Sequence, residues 1–240
     1  MKISESNKII KEVYEDKRRF LMEHESKSIV SEYGVPVGEF KVVNSQEEAV
    51  DYAKSIGFPV VAKLMSPEII HKTEAGVIKL NLKNEEEVKT AFNEVIENAM
   101  NYKADAKITG VSIQKMAEGG IVEIIIGGIR DTHFGPVLMF GLGGIFVEIF
   151  KDVSYRVCPI TADETNKMIR SIKAFPLLDG YRGTPKADIN QVVDTITKCC
   201  KMMMDNPQIE ELDLNPIIVF EDGKGIIVVD ARIILEEGGS

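Results

Sequence analysis

Apolar side chains at Ile9, Ile10, Val13, Tyr14 and Phe20 are set among charged residues, a spacing that predicts an amphipathic helix over 5–22. A second helix over 24–33 is closed by Gly34, with Pro36 as its stop. After the strand-like EFKVV, Ser45 and Glu48 form a capping-box signature for a helix ending at Gly57. Two β-rich runs, PVVAKLM and GVIKLNL, then flank the polar loop SPEIIHKTEA. Asn84 and Glu87 cap a further helix through about Tyr102.

The second half changes character. VSIQKM, IVEIIIGGI, GPVLMFG and SYRVCPI follow one another quickly, as in a meandering sheet. Thr161 and Glu164 cap a helix to about Lys173, and AFPLLDGYRGTP reads as a loop. A helix over 188–204 follows, with Met202, Met203 and Met204 expected to fill core space. The chain closes on IEELDLNPIIVF, a hairpin turn at Asp222-Gly223 and GIIVVDARIIL. The pattern implies an α/β protein of two α+β lobes with a seam near 105–113, and ligands favour the cleft between lobes. No internal repeat or low-complexity linker interrupts it.

Composition narrows the classes. At 240 residues, 44% hydrophobic and 28% charged, the chain is long enough for a substantial core and ordinary for a soluble globular protein. A net charge of −9 argues against a nucleic-acid-binding surface. No apolar run approaches a membrane span, and MKISESNKII lacks the pattern of a signal peptide. The 3 cysteines, Cys158, Cys199 and Cys200, give no disulfide framework and read as buried reduced thiols, which points to the cytoplasm. No cluster with zinc-ligand spacing exists. The closing GGS reads as an appended tail.

The candidate chemistry lies in a few residues. Lys63 interrupts the apolar VVAKL: either it faces solvent at a strand end, or it meets an anion such as a phosphate. Of 3 histidines, His24 reads as solvated on a charged helix and His133 as a turn residue. His71 lies on the loop between two strands beside Lys72; it is either an ordinary loop histidine or a phosphoryl acceptor. In ELDLNP, alternation puts Asp213 and Asn215 on one strand face and Leu212 and Leu214 on the other. Across the hairpin, antiparallel pairing would bring Asp230 beside Asn215. These oxygens either cap strand ends or supply the partial ligation that Mg²⁺ favours. The glycines of Gly127-Gly128 and FGLGGIF are turn or bulge positions that could approach an anion. Arg130, Arg156 and Arg182 are either solvated or paired, or contacts to a phosphate or a partner.

SKSIVSEYGVPV, GFPVVAKLMSPEIIHKTEAGVIKLNL, SIQKM, RDTHFGPVLMFGLGGIFVEIFKDVSYR and ELDLNPIIV followed by VVDARI occur in this order. Together they resemble the β subunit, an ATP-grasp module, of ADP-forming (NDP-forming) acetyl-CoA or acyl-CoA synthetases, relatives of succinyl-CoA synthetase familiar from archaea. The likeness runs from about residue 20 to 236. It implies an N-terminal helix at 1–22, one ATP-grasp subdomain with a phosphohistidine loop at 23–110, a second with the nucleotide and Mg²⁺ site at 111–236, and a tail at 237–240, the nucleotide cleft lying between the subdomains.

Residue by residue, the resemblance makes Lys63 a phosphate contact, Gln114, Lys115 and Met116 the segment whose backbone reads the adenine edge, and Glu123 an acidic residue near ribose and phosphates. Asn215 and Asp230 would be the Mg²⁺ ligands, and Asp213 would orient a phosphorylated histidine. His71 would take a phosphoryl group from a CoA-binding α subunit carrying the first phosphohistidine and pass it to ADP. The implied reaction is acyl-CoA + ADP + phosphate ⇌ acid + ATP + CoA, within an α₂β₂ heterotetramer. Two other readings remain at this point: a different ATP-grasp carboxylate ligase, which leaves His71 without a task, and a non-catalytic nucleotide-sensing module.

Overall fold

A computed structural model describes residues 4–69, 71–144, 147 and 151–238. Residues 1–3 of the expected N-terminal segment, position 70 of the histidine loop, positions 145–146 of FGLGGIF and tail positions 239–240 lie outside the described residues. In chain order the first elements are α1 (Glu5–Glu15), α2 (Glu23–Glu32), β1 (Phe40–Val43), α3 (Gln46–Ile56), β2 (Val60–Met65), β3 (Ile78–Leu82) and α4 (Glu85–Tyr102). Then come β4 (Gly110–Lys115), β5 (Val122–Asp131), β6 (Gly135–Leu142), β7 (Val153–Val157), α5 (Ala162–Arg170), α6 (Phe175–Leu178), α7 (Ile189–Asp205), β8 (Ile209–Val219), β9 (Ile226–Val228) and β10 (Ala231–Leu235).

The chain forms two units, Gly38–Met116 and a discontinuous one made of Met1–Val37 with Ala117–Ser240. This division differs from the expected 1–22, 23–110 and 111–236. The reason lies in backbone pairing. The expected helix over 5–22 stops at Asp16, where Lys17 adopts a left-handed φ of 56°. The chain then runs along β10: Phe20 bridges Ile234, and the Leu21 N–H donates to Ile233 O at 2.9 Å. The first two helices therefore join the C-terminal half. Conversely β4, expected to open the second subdomain, is hydrogen-bonded between β1 and β2.

In the Gly38–Met116 unit an antiparallel sheet of order β1-β4-β2-β3 carries α3 and α4 on one face. Both helices begin as the sequence predicts, with Ser45 Oγ accepting from the Glu48 N–H and Asn84 Oδ1 from the Glu87 N–H. Val60, Ala62, Leu64, Val111 and Ile113 point into their shared core.

The other unit has a six-stranded antiparallel sheet, ordered β10-β8-β5-β6-β7 with β9 also beside β8. Ile124, Ile126, Leu138, Phe140, Leu212, Leu214 and Ile233 pack beneath α1, α2, α5 and α7. Gly128 allows α7 this close, since a Cβ there would collide with Met203 Sδ. Met202 and Met203 are buried as expected, whereas Met204 sits on the outer side of α7 and is 47% exposed. The AFPLLDGYRGTP segment is more ordered than a loop, containing α6 and a 3₁₀ turn at Tyr181–Gly183. All 3 cysteines are free and buried, and no helix among the described residues is long and apolar enough to cross a membrane.

The second helix is also more deeply set than its charges suggest. Glu23 and Lys27 form an ion pair of 3.0 Å with side chains 2% exposed each, and His24 is half-buried rather than solvated. Lys8 and Glu12 on α1 have the same i,i+4 spacing at 3.7 Å but remain in solvent. Burial, not spacing, decides what each pair is worth. Lys27→Met removes the ammonium from beside a buried carboxylate and is expected to destabilise the fold by ~3–5 kcal/mol. Lys8→Met should change stability by less than ~0.5 kcal/mol. Urea denaturation of both variants measures this, and equal effects would contradict it.

Candidate functional site

Within the Gly38–Met116 unit the chemistry lies on the sheet face opposite the helices. Lys63 is not at a strand end: it is in the middle of β2, paired with Ile78 on one side and Ser112 on the other, and is 4% exposed. Its neighbours Ala62 and Leu64 enter the helical core, so alternation turns Lys63 to the other face. Ser112 and Gln114, both buried, continue a polar row there, the Gln114 Nε2 donating to Ser112 Oγ at 3.1 Å.

At the end of β4, backbone donors are already committed. The Lys115 N–H donates to Glu39 O at 2.9 Å and the Met116 N–H to Pro59 O at 3.2 Å. The Lys115 ammonium donates to Gly57 O and Phe58 O at 3.0 and 2.8 Å, tying β4 to the turn before β2. This lysine side chain therefore shapes the segment.

The histidine loop joins β2 to β3. Ile69, Ala75 and Val77 are buried and anchor it, while the Ala75 N–H donates to His71 O and the Val77 N–H to Lys72 O, both at 3.1 Å. His71 itself is exposed. A nucleophile that exchanges groups with another molecule needs such presentation.

In the other unit, β8 and β10 build a compact constellation. Leu214 lies opposite Ala231 and Asp213 opposite Arg232, and the Asn215 N–H donates to Asp230 O at 3.3 Å. Asn215 and Asp230 are therefore neighbours, as the alternation and the hairpin predicted. Leu212, Leu214, Ala231 and Ile233 point into the core, so Asp213, Asn215, Asp230 and Arg232 share the outer face. A bulge sharpens this arrangement: Ile126 pairs with Leu214 and Ile124 with Ile217, leaving Asn215 and Pro216 opposite the single residue Ile125. Glu123 lies farther along the outer face of β5, exposed, with its carbonyl accepting the Gly143 N–H at 2.8 Å. That donor of the glycine turn is thus engaged with the fold.

The electrostatics of this face are acidic. Burial pushes the Asp213 carboxyl above its ordinary range, opposed by Arg232 and reinforced by Asp230 and Glu211. Its Oδ1 is sealed from solvent with no hydrogen-bond partner among the described residues. One Asp230 oxygen accepts the Ala231 N–H at 2.9 Å. Asn215 and Asp230 are hard oxygen donors side by side, with an orphaned carboxylate oxygen one step along the strand. This donor set fits a cation that takes part of its ligation from protein and the rest from water and phosphate.

The other candidates have structural tasks or lie elsewhere. Arg130 caps the C-terminus of α7, donating to Ile209 O at 3.0 Å, to Asn206 O at 3.1 Å and to Met203 O. Arg156 donates to Tyr155 O at 2.7 Å, and Arg182 lies over the Tyr181 ring at 5.2 Å. His133 is an exposed turn residue. Two residues of the candidate faces escaped the sequence reading, Ser112 and Arg232. Alternation in SIQ and DAR was the available signal for both.

Known proteins resemble this chain over nearly its whole length. The ATP-grasp domain model matches residues 12–235. The acetate–CoA ligase (ADP-forming) I β subunit of Pyrococcus furiosus is 49% identical over 234 residues, covering 98% of this chain and 99% of its own. The dinucleotide-forming acetyl-coenzyme A synthetase 1 of Candidatus Korarchaeum cryptofilum, solved with coenzyme A and Ca-AMPCP, matches with a TM-score of 0.92 at 45% identity, over 96% of this chain and 100% of that one. The same protein solved with coenzyme A and Mg-AMPPCP, its phosphohistidine segment pointing towards the nucleotide binding site, matches with a TM-score of 0.85 at 43% identity, over the same shares of the two chains. This chain belongs to the ATP-grasp family, among the β subunits of ADP-forming acetate–CoA ligases.

Proposed function

We propose that this subunit forms ATP from ADP by a phosphohistidine relay, in the reaction acyl-CoA + ADP + phosphate ⇌ acid + ATP + CoA. The observation that carries the reading is the adjacency of Asn215 and Asp230 on one sheet face, beside the half-buried Asp213. Asn215 and Asp230 would hold Mg²⁺. When bound, the ion supplies neutralising charge for nucleotide phosphates. The Korarchaeum protein's complex with Mg-AMPPCP supports this choice of ion.

The chain's own groups then divide the work. Lys63 contributes a fixed positive charge for phosphate, and a buried ammonium does so with little competition from water. Gln114, Lys115 and Met116 form the adenine-facing segment, held in place by the Lys115 and Met116 N–H groups and the Lys115 ammonium, all of which are engaged with the fold. Glu123 faces ribose and phosphates. His71 is the carrier: its neutral imidazole attacks the phosphorus of an incoming phosphohistidine, forming one P–N bond as the donor's P–N bond breaks. A terminal phosphate oxygen of ADP then attacks, making the new P–O bond and releasing His71. Asp213 accepts a hydrogen bond from the phosphorylated ring and so orients it. Positioning and charge compensation supply most of the acceleration in such transfers.

The incoming phosphohistidine belongs to a CoA-binding α subunit, in an assembly of two α and two β chains; the relative's designation as a β subunit supports a partner. We place the enzyme in the cytoplasm, in keeping with its free, buried thiols.

Two variants test the division of labour. Asp230→Ala is expected to keep the fold and to weaken Mg-ADP binding at least about tenfold, ~1.4 kcal/mol. Calorimetry with and without Mg²⁺ measures it, and unchanged affinity would remove Asp230 from the metal site. His71→Ala should bind Mg-ADP normally while ATP formation with the partner subunit falls at least about a thousandfold. The acid-labile label from [γ-³²P]ATP should vanish from this chain. Near-normal turnover would instead favour direct transfer to ADP from the α subunit.

A further inference from the structure

The relay leaves one exposed cation on the active face without a task. Arg232 is on β10 directly opposite Asp213 on β8, on the same outer face as Asn215 and Asp230. Its core-facing neighbours Ala231 and Ile233 are 3% and 0% exposed, which fixes the direction of its side chain. Among the described residues the guanidinium has no hydrogen bond or close ion pair, and it attracts the Asp213 carboxylate at longer range. Three other arginines of this unit are engaged with the fold: Arg18 grips Glu25, Arg19 grips Glu210 and Glu237, and Arg130 caps α7. An arginine left open beside carboxylates that face a phosphoryl site is poised for an anionic ligand.

We propose that Arg232 and Asp213 together form a docking pair for phosphohistidine, in which the guanidinium holds the phosphoryl oxygens and the carboxylate receives the ring N–H. This rests on the relay reading above and deepens it by assigning the phosphoryl end of the carrier to a residue. The dimensions agree. Residues directly opposite in an antiparallel ladder have Cα atoms about 4.5–5.5 Å apart, a spacing from which two side chains can grip the two ends of one phosphorylated ring. Chemistry selects the pair as well. Phosphohistidine combines one ring N–H donor with a tetrahedral phosphoryl group of three acceptor oxygens, and the planar fork of arginine matches those oxygens two at a time where lysine offers a point charge. Asp213 is half-buried: its Oδ1 is enclosed and has no hydrogen-bond partner among the described residues, and its other carboxylate oxygen is the complementary acceptor. Arg232 is one step along β10 from Asp230, about 6.6 Å at strand rise. It therefore serves the transferred group rather than the metal pair.

The test uses the full-length chain assembled with its partner subunit. Arg232→Gln should bind Mg-ADP within about twofold of wild type and unfold at the same temperature. The acid-labile label acquired by this chain from Mg-[γ-³²P]ATP, read after the subunits are separated, should fall at least tenfold. Arg232→Lys should recover part of it. A purely structural role, as counter-charge to Asp213, predicts full recovery by lysine and by the Arg232→Gln/Asp213→Asn double variant; either result overturns the proposal. So does wild-type labelling of Arg232→Gln, or loss of its Mg-ADP affinity. His71→Ala shows whether the label is carried by His71. If wild type acquires no label at all, the relay itself fails, a result distinguishable from failure of Arg232 alone.

Discussion

The register of β8 against β5 and β10 is the constraint on which the active face depends. Along β8, Leu212 and Leu214 enter the core while Asp213 and Asn215 stand on the other side, and on β10 Ala231 and Ile233 do the same for Asp230 and Arg232. A slip of one residue would expose the leucines and bury the carboxylates. The hydrophobic effect therefore holds the candidate site groups in place: each buried methylene contributes ~0.8 kcal/mol toward the correct register, while an ionised carboxylate turned into the core would cost several kcal/mol. The bulge at Asn215 and Pro216 then shifts the phase so that Ile217 and Val219 return to the core beyond it. The N-terminal segment helps from the edge, since Leu21 donates to Ile233 O and thereby closes the free side of β10.

The Gly38–Met116 unit solves a different problem with the same alternation. Here a lysine, not a carboxylate, occupies a non-core position, and it does so on the strand flanked by two others. Its ladder neighbour Ser112 and the adjacent Gln114 make that part of the sheet polar. The helices α3 and α4 bury the other face, so the unit keeps a dry core although a row of polar groups runs across its sheet. Rigidity is the useful consequence. A charge on a central strand moves far less than one on a loop, and preorganised charge is what phosphate recognition demands. The histidine loop is the complementary case, anchored by Ile69, Ala75 and Val77 with its imidazole outside.

Local signals made the Asn215–Asp230 neighbourhood legible in the sequence. Strand alternation fixed the faces, and Asp222-Gly223, with Gly223 at φ 79°, fixed the reversal that brings the strands together. The helix starts at Ser45, Asn84 and Thr161 were readable for the same reason. What escaped depended on partners distant in sequence. Whether Lys63 lies at an end or in the middle of a sheet is decided by β4, which inserts between β1 and β2. The division into units is decided by the pairing of Phe20 with Ile234. A charged helix such as α2 reads as solvated, yet the Glu23–Lys27 pair is enclosed because the ladder to β10 pulls the helix onto the core. The sequence left Arg130 open between a phosphate or partner contact and a solvated or paired residue, because nothing in its own segment reveals the helix end that it caps.

The charge balance of the outer face carries one more consequence. Glu123, Glu211, Asp213 and Asp230 share it with a single arginine among the described residues of these strands, Arg232. Two unit charges 4 Å apart interact by about 1 kcal/mol in water and by about 4 kcal/mol at the lower effective dielectric of a protein surface. On the proposed reading, a bare nucleoside diphosphate approaching this face would meet net repulsion of that order, whereas one already paired with a divalent cation would not. Acidic residues in excess would then favour the metal-complexed form of the nucleotide before any base contact is made. The same field opposes a free phosphate ion, yet a phosphoryl group delivered on an imidazole arrives with a ring N–H for Asp213 to accept. On the proposed reading, this face distinguishes the carried phosphoryl group from the free ion by charge, and it places the distinction in side chains whose positions the strand register fixes.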